Sequence, residues 1–133
     1  MIKHGNKLIM RPNKVSIRPE ISGIRDGDNL SFEERFQNKT IRPIVKLQHD
    51  IIIAYFNEYL SVMNCDYEVF SSLRKKDYIF KMFNRDNSFK LKLKGIIIGH
   101  FTRDEFIDYC YSKNDFNKRI LTIIKERIIS VVI

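Results

Sequence analysis

Histidines, cysteines and clustered carboxylates carry most proton, metal and nucleophile chemistry, and in this chain they are few and scattered. His4, His49 and His100 are the only histidines. No two of them stand at the i, i+4 spacing that puts a ligand pair on one helix face. Asp50 follows His49 directly, but adjacent helical residues point apart. A metal site would need the fold to bring His49, His100 and a carboxylate together, so no metal and no cofactor is expected. Cys65 and Cys110 form no CxxC pair, which removes a thiolate zinc site, and Cys110 reads as a thiol of a helix core. No serine sits in a nucleophile elbow. Asp26 and Asp28 lack the sixth-position glycine and the spaced acid of a calcium loop. Gly95 to Gly99 lacks the Gly-Lys-Ser/Thr ending of a phosphate loop. Asp104, Glu105 and Asp108 fall where helix-start chemistry accounts for them. No catalytic set is assigned.

Positive charge is the stronger signal. The net charge is +8 over 133 residues. The excess is +3 in residues 1–30, zero in 31–64, +4 in 65–101 and +1 in 102–133. It therefore gathers in the N-terminal arm and in the middle of the chain. Arg74, Lys75, Lys76, Lys81, Arg85, Lys90, Lys92 and Lys94 form the densest basic group, with Tyr78, Phe80 and Phe89 interleaved. Such a pattern can hold a polyanion by charge and stack on bases.

The elements that position these residues read as helices. Ser31 and Glu34 form an S-x-x-E capping box that opens the longest apolar segment, residues 31–64. Its inward residues are expected to include Ile44, Val45, Ile51, Ile52, Tyr55, Phe56, Tyr59, Val62 and Met63, and the other helices are expected to pack on it. Pro43 predicts a kink or break near Thr40, with Thr40 able to cap a restarted helix. Ser71 or Ser72 caps a second helix to about Asn84. Asn87 caps a third, although Phe89 to Lys94 alternates with a strand's period. Gly95 and Gly99 predict either a close helix approach or a left-handed stop. Thr102 and Glu105 make a second capping box for a helix to about Tyr111, with Phe106, Ile107 and Cys110 turned inward. Ser112 or Asn114 caps a last helix through Ile128. Before Ser31, prolines and the 26–29 run read as turns, and Ile17, Ile21 and Ile24 could dock on the helices. The fold class is all-α, a bundle of four or five helices (residues 31–133) with an irregular N-terminal arm (residues 1–30). The 44% hydrophobic content supplies a core without staples. No run is long enough for a membrane span and no signal-peptide core is seen, so a cytoplasmic setting is expected.

Several phrases resemble a family of small helical bacterial proteins of uncharacterised function. They are Arg18-Pro-Glu-Ile-Ser-Gly23, Glu34-Arg-Phe-Gln-Asn38, Arg42-Pro-Ile-Val-Lys-Leu-Gln48, Lys94-Gly-Ile-Ile-Ile-Gly-His-Phe-Thr102 and Asn117-Lys-Arg-Ile120. Some members carry the label glyoxalase. That label implies a metal-dependent lyase of βαβββ units with His and Glu ligands, and neither that strand pattern nor that ligand set is present. The resemblance does single out Arg42, Gln48, Thr102, Asn117 and Arg119; with His49 and His100 they form a candidate polar surface site.

Three functions follow as expectations. The first is contact with other proteins, including a homo-oligomer, because the central and last helices carry surplus apolar surface. The second is nucleic-acid binding through the 74–94 stretch. The third is an enzyme with an unrecognised polar or metal site.

Overall fold

The computed structural model describes residues 13–21 and 29–132, together with two strands, β1 (Ile2–His4) and β2 (Lys7–Ile9), as backbone alone. Among the described residues the chain is all-α apart from this strand pair. Its helices are α1 (Phe32–Phe36), α2 (Arg42–Leu47), α3 (His49–Val62), α4 (Ser72–Arg85), α5 (Asn87–Ile98), α6 (Arg103–Cys110) and α7 (Lys113–Val132). A π turn (Gln37–Ile41) joins α1 to α2 without a gap. A short 3₁₀ turn (Tyr67–Val69) precedes α4. The arm is not wholly irregular, since β1 and β2 pair antiparallel with Ile2 opposite Ile9. A pairing this local costs little loop entropy. The turns expected at Gly23 and from Asp26 to Asp28, the docking of Ile24 and the side chain of His4 lie outside the described residues.

Local cap chemistry fixes most helix starts. Ser31 Oγ accepts from the Glu34 N–H, Ser71 Oγ from the Arg74 N–H, and Thr102 Oγ1 from the Glu105 N–H. The Thr102 box closes fully, because Glu105 Oε1 accepts the Thr102 N–H at 2.8 Å. The Ser31 box closes differently, its hydroxyl donating to Glu34 Oε1. The third helix starts one residue earlier than Asn87 would set it, because Asp86 Oδ1 takes the Phe89 N–H. Ser112, not Asn114, flanks the first turn of α7.

Pro43 acts through the π turn. In an α-helix its ring would collide with the carbonyl four residues back. The π turn widens the backbone there, and the chain continues as helix with Pro43 in the first turn of α2. The interruption instead falls at Gln48 (φ −93°, ψ 14°), which divides the central segment. Thr40 is therefore not a cap. It is buried inside the π turn, and its hydroxyl donates to Glu105 Oε2.

The helix on which the others pack is α7 rather than the 31–64 segment. It touches the π turn and α2, α3, α4, α5 and α6. Phe116, Ile120, Ile124 and Ile128 are fully buried along it. Around Phe116 stand Phe36 (ring centroids 4.5 Å apart), Phe32 and Tyr109. A second aromatic group, Tyr55, Tyr59, Phe83 and Phe89, seals α3 to α4 and α5. Phe89 and Leu93 are buried on one side of α5, so the helical period prevails over the strand-like alternation.

Several apolar residues face out where the pattern predicts them inward. Ile51, Val62 and Met63 are exposed, and so are Phe106, Ile107 and Cys110 on α6. Ile17 is also exposed; Arg18 beside it is the residue that docks. Neither glycine serves a close approach. Gly95 has open space where a Cβ would stand, and Gly99 ends α5 in right-handed geometry (φ −61°, ψ −17°). No helix among the described residues is long and apolar enough to cross a membrane.

Candidate functional site

The seven polar residues singled out from the sequence do not form one site. Arg42 and Arg119 come together, lining a groove of about 300 Å³ between the π turn and α7. Gln37, Asp115, Lys118, Thr122, Ile123 and Glu126 complete it. Arg119 is braced twice: its Nε donates to Asp115 Oδ2 at 2.7 Å and its Nη1 to Gln37 Oε1 at 3.0 Å. The Nε of Arg42 is buried and meets no acceptor. Asp115, Arg119, Thr122 and Glu126 stand at i, i+4, i+7 and i+11 on α7. That polar stripe was the available sequence signal for this wall. Gln37 carried none, because the π turn alone directs it there.

His49 lies in a neighbouring cavity with Lys46, Leu47, Asp50 and Arg127. Its Nδ1 is 3.2 Å from Arg127 Nη1. Gln48 serves as the flanking residue of α3, and its N–H bonds to the Ile44 carbonyl. Asn117 accepts the Tyr109 hydroxyl, tying α6 to α7.

His100 and Thr102 belong to a different cluster, which locks the arm to the bundle. Arg18, its side chain only 4% exposed, forms a two-pronged pair with Glu105. Its Nη2 also donates to the His100 carbonyl at 2.7 Å. Lys14 Nζ adds a bond to the Phe101 carbonyl at 3.1 Å. The Glu105 carboxylate thus takes both prongs of Arg18, the Thr102 N–H and the Thr40 hydroxyl. Burial would raise the Glu105 carboxyl, but these donors and the Arg18 charge hold it below its usual range. Burial, then Lys14 and Arg18, hold the His100 imidazole below its usual range, and its Nδ1 is buried without a partner. Arg18 stands in one of the phrases that carry the resemblance, but nothing in its spacing points to this pair, and the capping box alone accounts for Glu105 in the sequence.

Among the described residues no three His, Cys, Asp or Glu side chains are grouped so as to hold a metal ion. Cys110 is exposed rather than in the core.

The basic 74–94 group spreads over two helices. Lys81 pairs with Asp77 at 2.9 Å; the other seven have no carboxylate of a described residue at ion-pair distance. Arg74 lies 4.0 Å over the Phe70 ring and Lys75 5.3 Å over Tyr67. Phe89 is buried and offers no stacking face, whereas Phe80 is partly exposed.

The remaining feature is α6, which leaves several apolar side chains facing out. Glu105 and Tyr109 face the protein, and Phe106, Ile107, Cys110 and Tyr111 face solvent, Tyr111 being 77% exposed. With Glu105 held by the clamp and Tyr109 in the core, Phe106 and Ile107 are left on the outward side. No family model, no curated protein and no solved structure matches the chain.

Proposed function

We propose that this protein works by binding another protein surface, with a second copy of itself as the first case to test. The observation that carries this reading is the outward stripe of Phe106, Ile107, Cys110 and Tyr111. These positions recur at i, i+1, i+4 and i+5, so they form one continuous face. Contiguous exposed apolar surface on a compact domain marks contact sites more often than isolated residues do. The clamp beneath holds this face in a fixed orientation, which lowers the ordering cost of binding. Sedimentation velocity across the micromolar range tests the self-association. A rising sedimentation coefficient that Ile107→Asp abolishes supports it. A concentration-independent monomer removes it.

One observation favours a second reading, binding of a polyanion such as nucleic acid. Seven of the eight basic side chains in 74–94 have no carboxylate partner among the described residues, and Arg74 and Lys75 are held over aromatic rings. Affinity for a single-stranded oligonucleotide should then fall steeply with salt through counterion release. Binding that ignores salt overturns this reading.

A further inference from the structure

The groove between the π turn and α7 supports an inference independent of both readings above. Two arginines enter it from facing elements. The Arg42 guanidinium makes no hydrogen bond to a described residue, and its buried Nε has no acceptor. Arg119 is oriented by Asp115 and Gln37, and its Nη2 makes no bond to a described residue. Lys118 and Thr122 line the same space with an ammonium and a hydroxyl.

The π turn produces this arrangement. The Arg42 N–H bonds to the Gln37 carbonyl, five residues back. In a regular α-helix, residues five apart point about 140° away from each other. The wider turn instead brings both into one groove. Gln37 braces Arg119, while Arg42 supplies unpaired donors. Such π turns recur at functional sites.

The Arg42 guanidinium has no hydrogen-bond partner among the described residues, and an oxyanion in the groove would supply acceptors for its terminal nitrogens. Arginine presents paired N–H donors that match oxyanion geometry. Asp115 is already engaged with Arg119. Glu126 opposes an anion, but three cations and two carboxylates leave the lining with one net positive charge. Donors from two facing elements can surround a tetrahedral group, which offers acceptors in more directions than a flat carboxylate does.

We propose that this groove binds a phosphate-type oxyanion, either inorganic phosphate or the terminal phosphate of a small phosphomonoester. The test uses the full chain, titrated with inorganic phosphate and separately with glycerol phosphate, at ionic strength held constant with chloride. Thermal unfolding should shift upward and saturate. Amide resonances of Gln37, Arg42, Arg119 and Thr122 should move together. Arg42→Gln should weaken binding about tenfold or more, as expected for loss of a charged hydrogen bond. Arg119→Lys, which keeps charge but loses the fork, should also weaken it. Lys92→Gln, outside the groove, should not. Tighter binding of glycerol phosphate assigns the site to a monoester; tighter binding of inorganic phosphate assigns it to the free ion. A chloride-like response in the wild type, or resonance changes confined to other surfaces, overturns the proposal. The resonance mapping needs no variant, so it stands even if Arg42→Gln fails to fold.

Discussion

Arg18 and Glu105 lie 87 residues apart in the chain and meet in a two-pronged ion pair, with Nη1 2.7 Å from Oε2 and Nη2 2.8 Å from Oε1. Through this pair one carboxylate caps α6, receives Thr40 from the π turn and anchors the arm. Removing one partner leaves the other charge buried and unpaired. Arg18→Met should therefore cost about 3 kcal/mol in denaturant unfolding. Arg18→Met combined with Glu105→Met should cost less than the sum of the two single changes. Strict additivity would show that the pair is not coupled.

Stability should fall with acid in two stages. The folded-state pKa values of His100 and Glu105 both lie below their ordinary values, 6.5 and 4.5. For each group the unfolded chain binds a proton that the folded chain resists. The His100 contribution is complete above pH 6.5 and is lost as pH falls below it. The Glu105 contribution is complete above pH 4.5 and is lost further down. Denaturant midpoints from about pH 7 to about pH 3 would show this. His100→Asn should flatten the first stage, and Glu105→Gln the second.

Gly95→Ala should stabilise the protein. Gly95 sits inside α5, exposed, with nothing within 4 Å of an added Cβ. Alanine there gains about 0.5–1 kcal/mol from lower unfolded-state entropy and better helix propensity. Gly99→Ala should not match it, because its Cβ would stand 3.1 Å from the Gly95 carbonyl oxygen. Equal gains in thermal midpoint would contradict the geometry.

Phe116→Ala should be among the most damaging single changes. The ring is fully buried among Phe32, Phe36 and Tyr109. Emptying such a site costs about 3–5 kcal/mol. A loss under about 1 kcal/mol would mean that the neighbouring rings collapse into the space.

Helix starts were legible because a cap is a matter of a few adjacent residues. Ser31, Ser71 and Thr102 each act where the spacing put them. Helix orientation was less legible, because it depends on partners far along the chain. The apolar residues of α6 read as inward, but with Glu105 held by Arg18 from the arm and Tyr109 in the core, Phe106 and Ile107 are left on the outward side. The 31–64 segment looked central because it is the longest apolar run, yet α7 makes contacts from both its apolar and its polar sides. Arg42 and Arg119 were both picked out from the sequence. Their meeting was not, since it depends on a π turn whose local cause, Pro43, reads equally well as a kink.

The position of α7 also sets an order of events during synthesis. The ribosome releases α1 to α6 before the helix on which all of them pack. Until α7 emerges, α2, α3, α4 and α5 lack their shared partner, and the earlier helices can form only transient pairings. Consolidation of the whole body therefore waits for α7 and is concerted, and a nascent chain stalled before α7 would present greasy surfaces for chaperones to grasp.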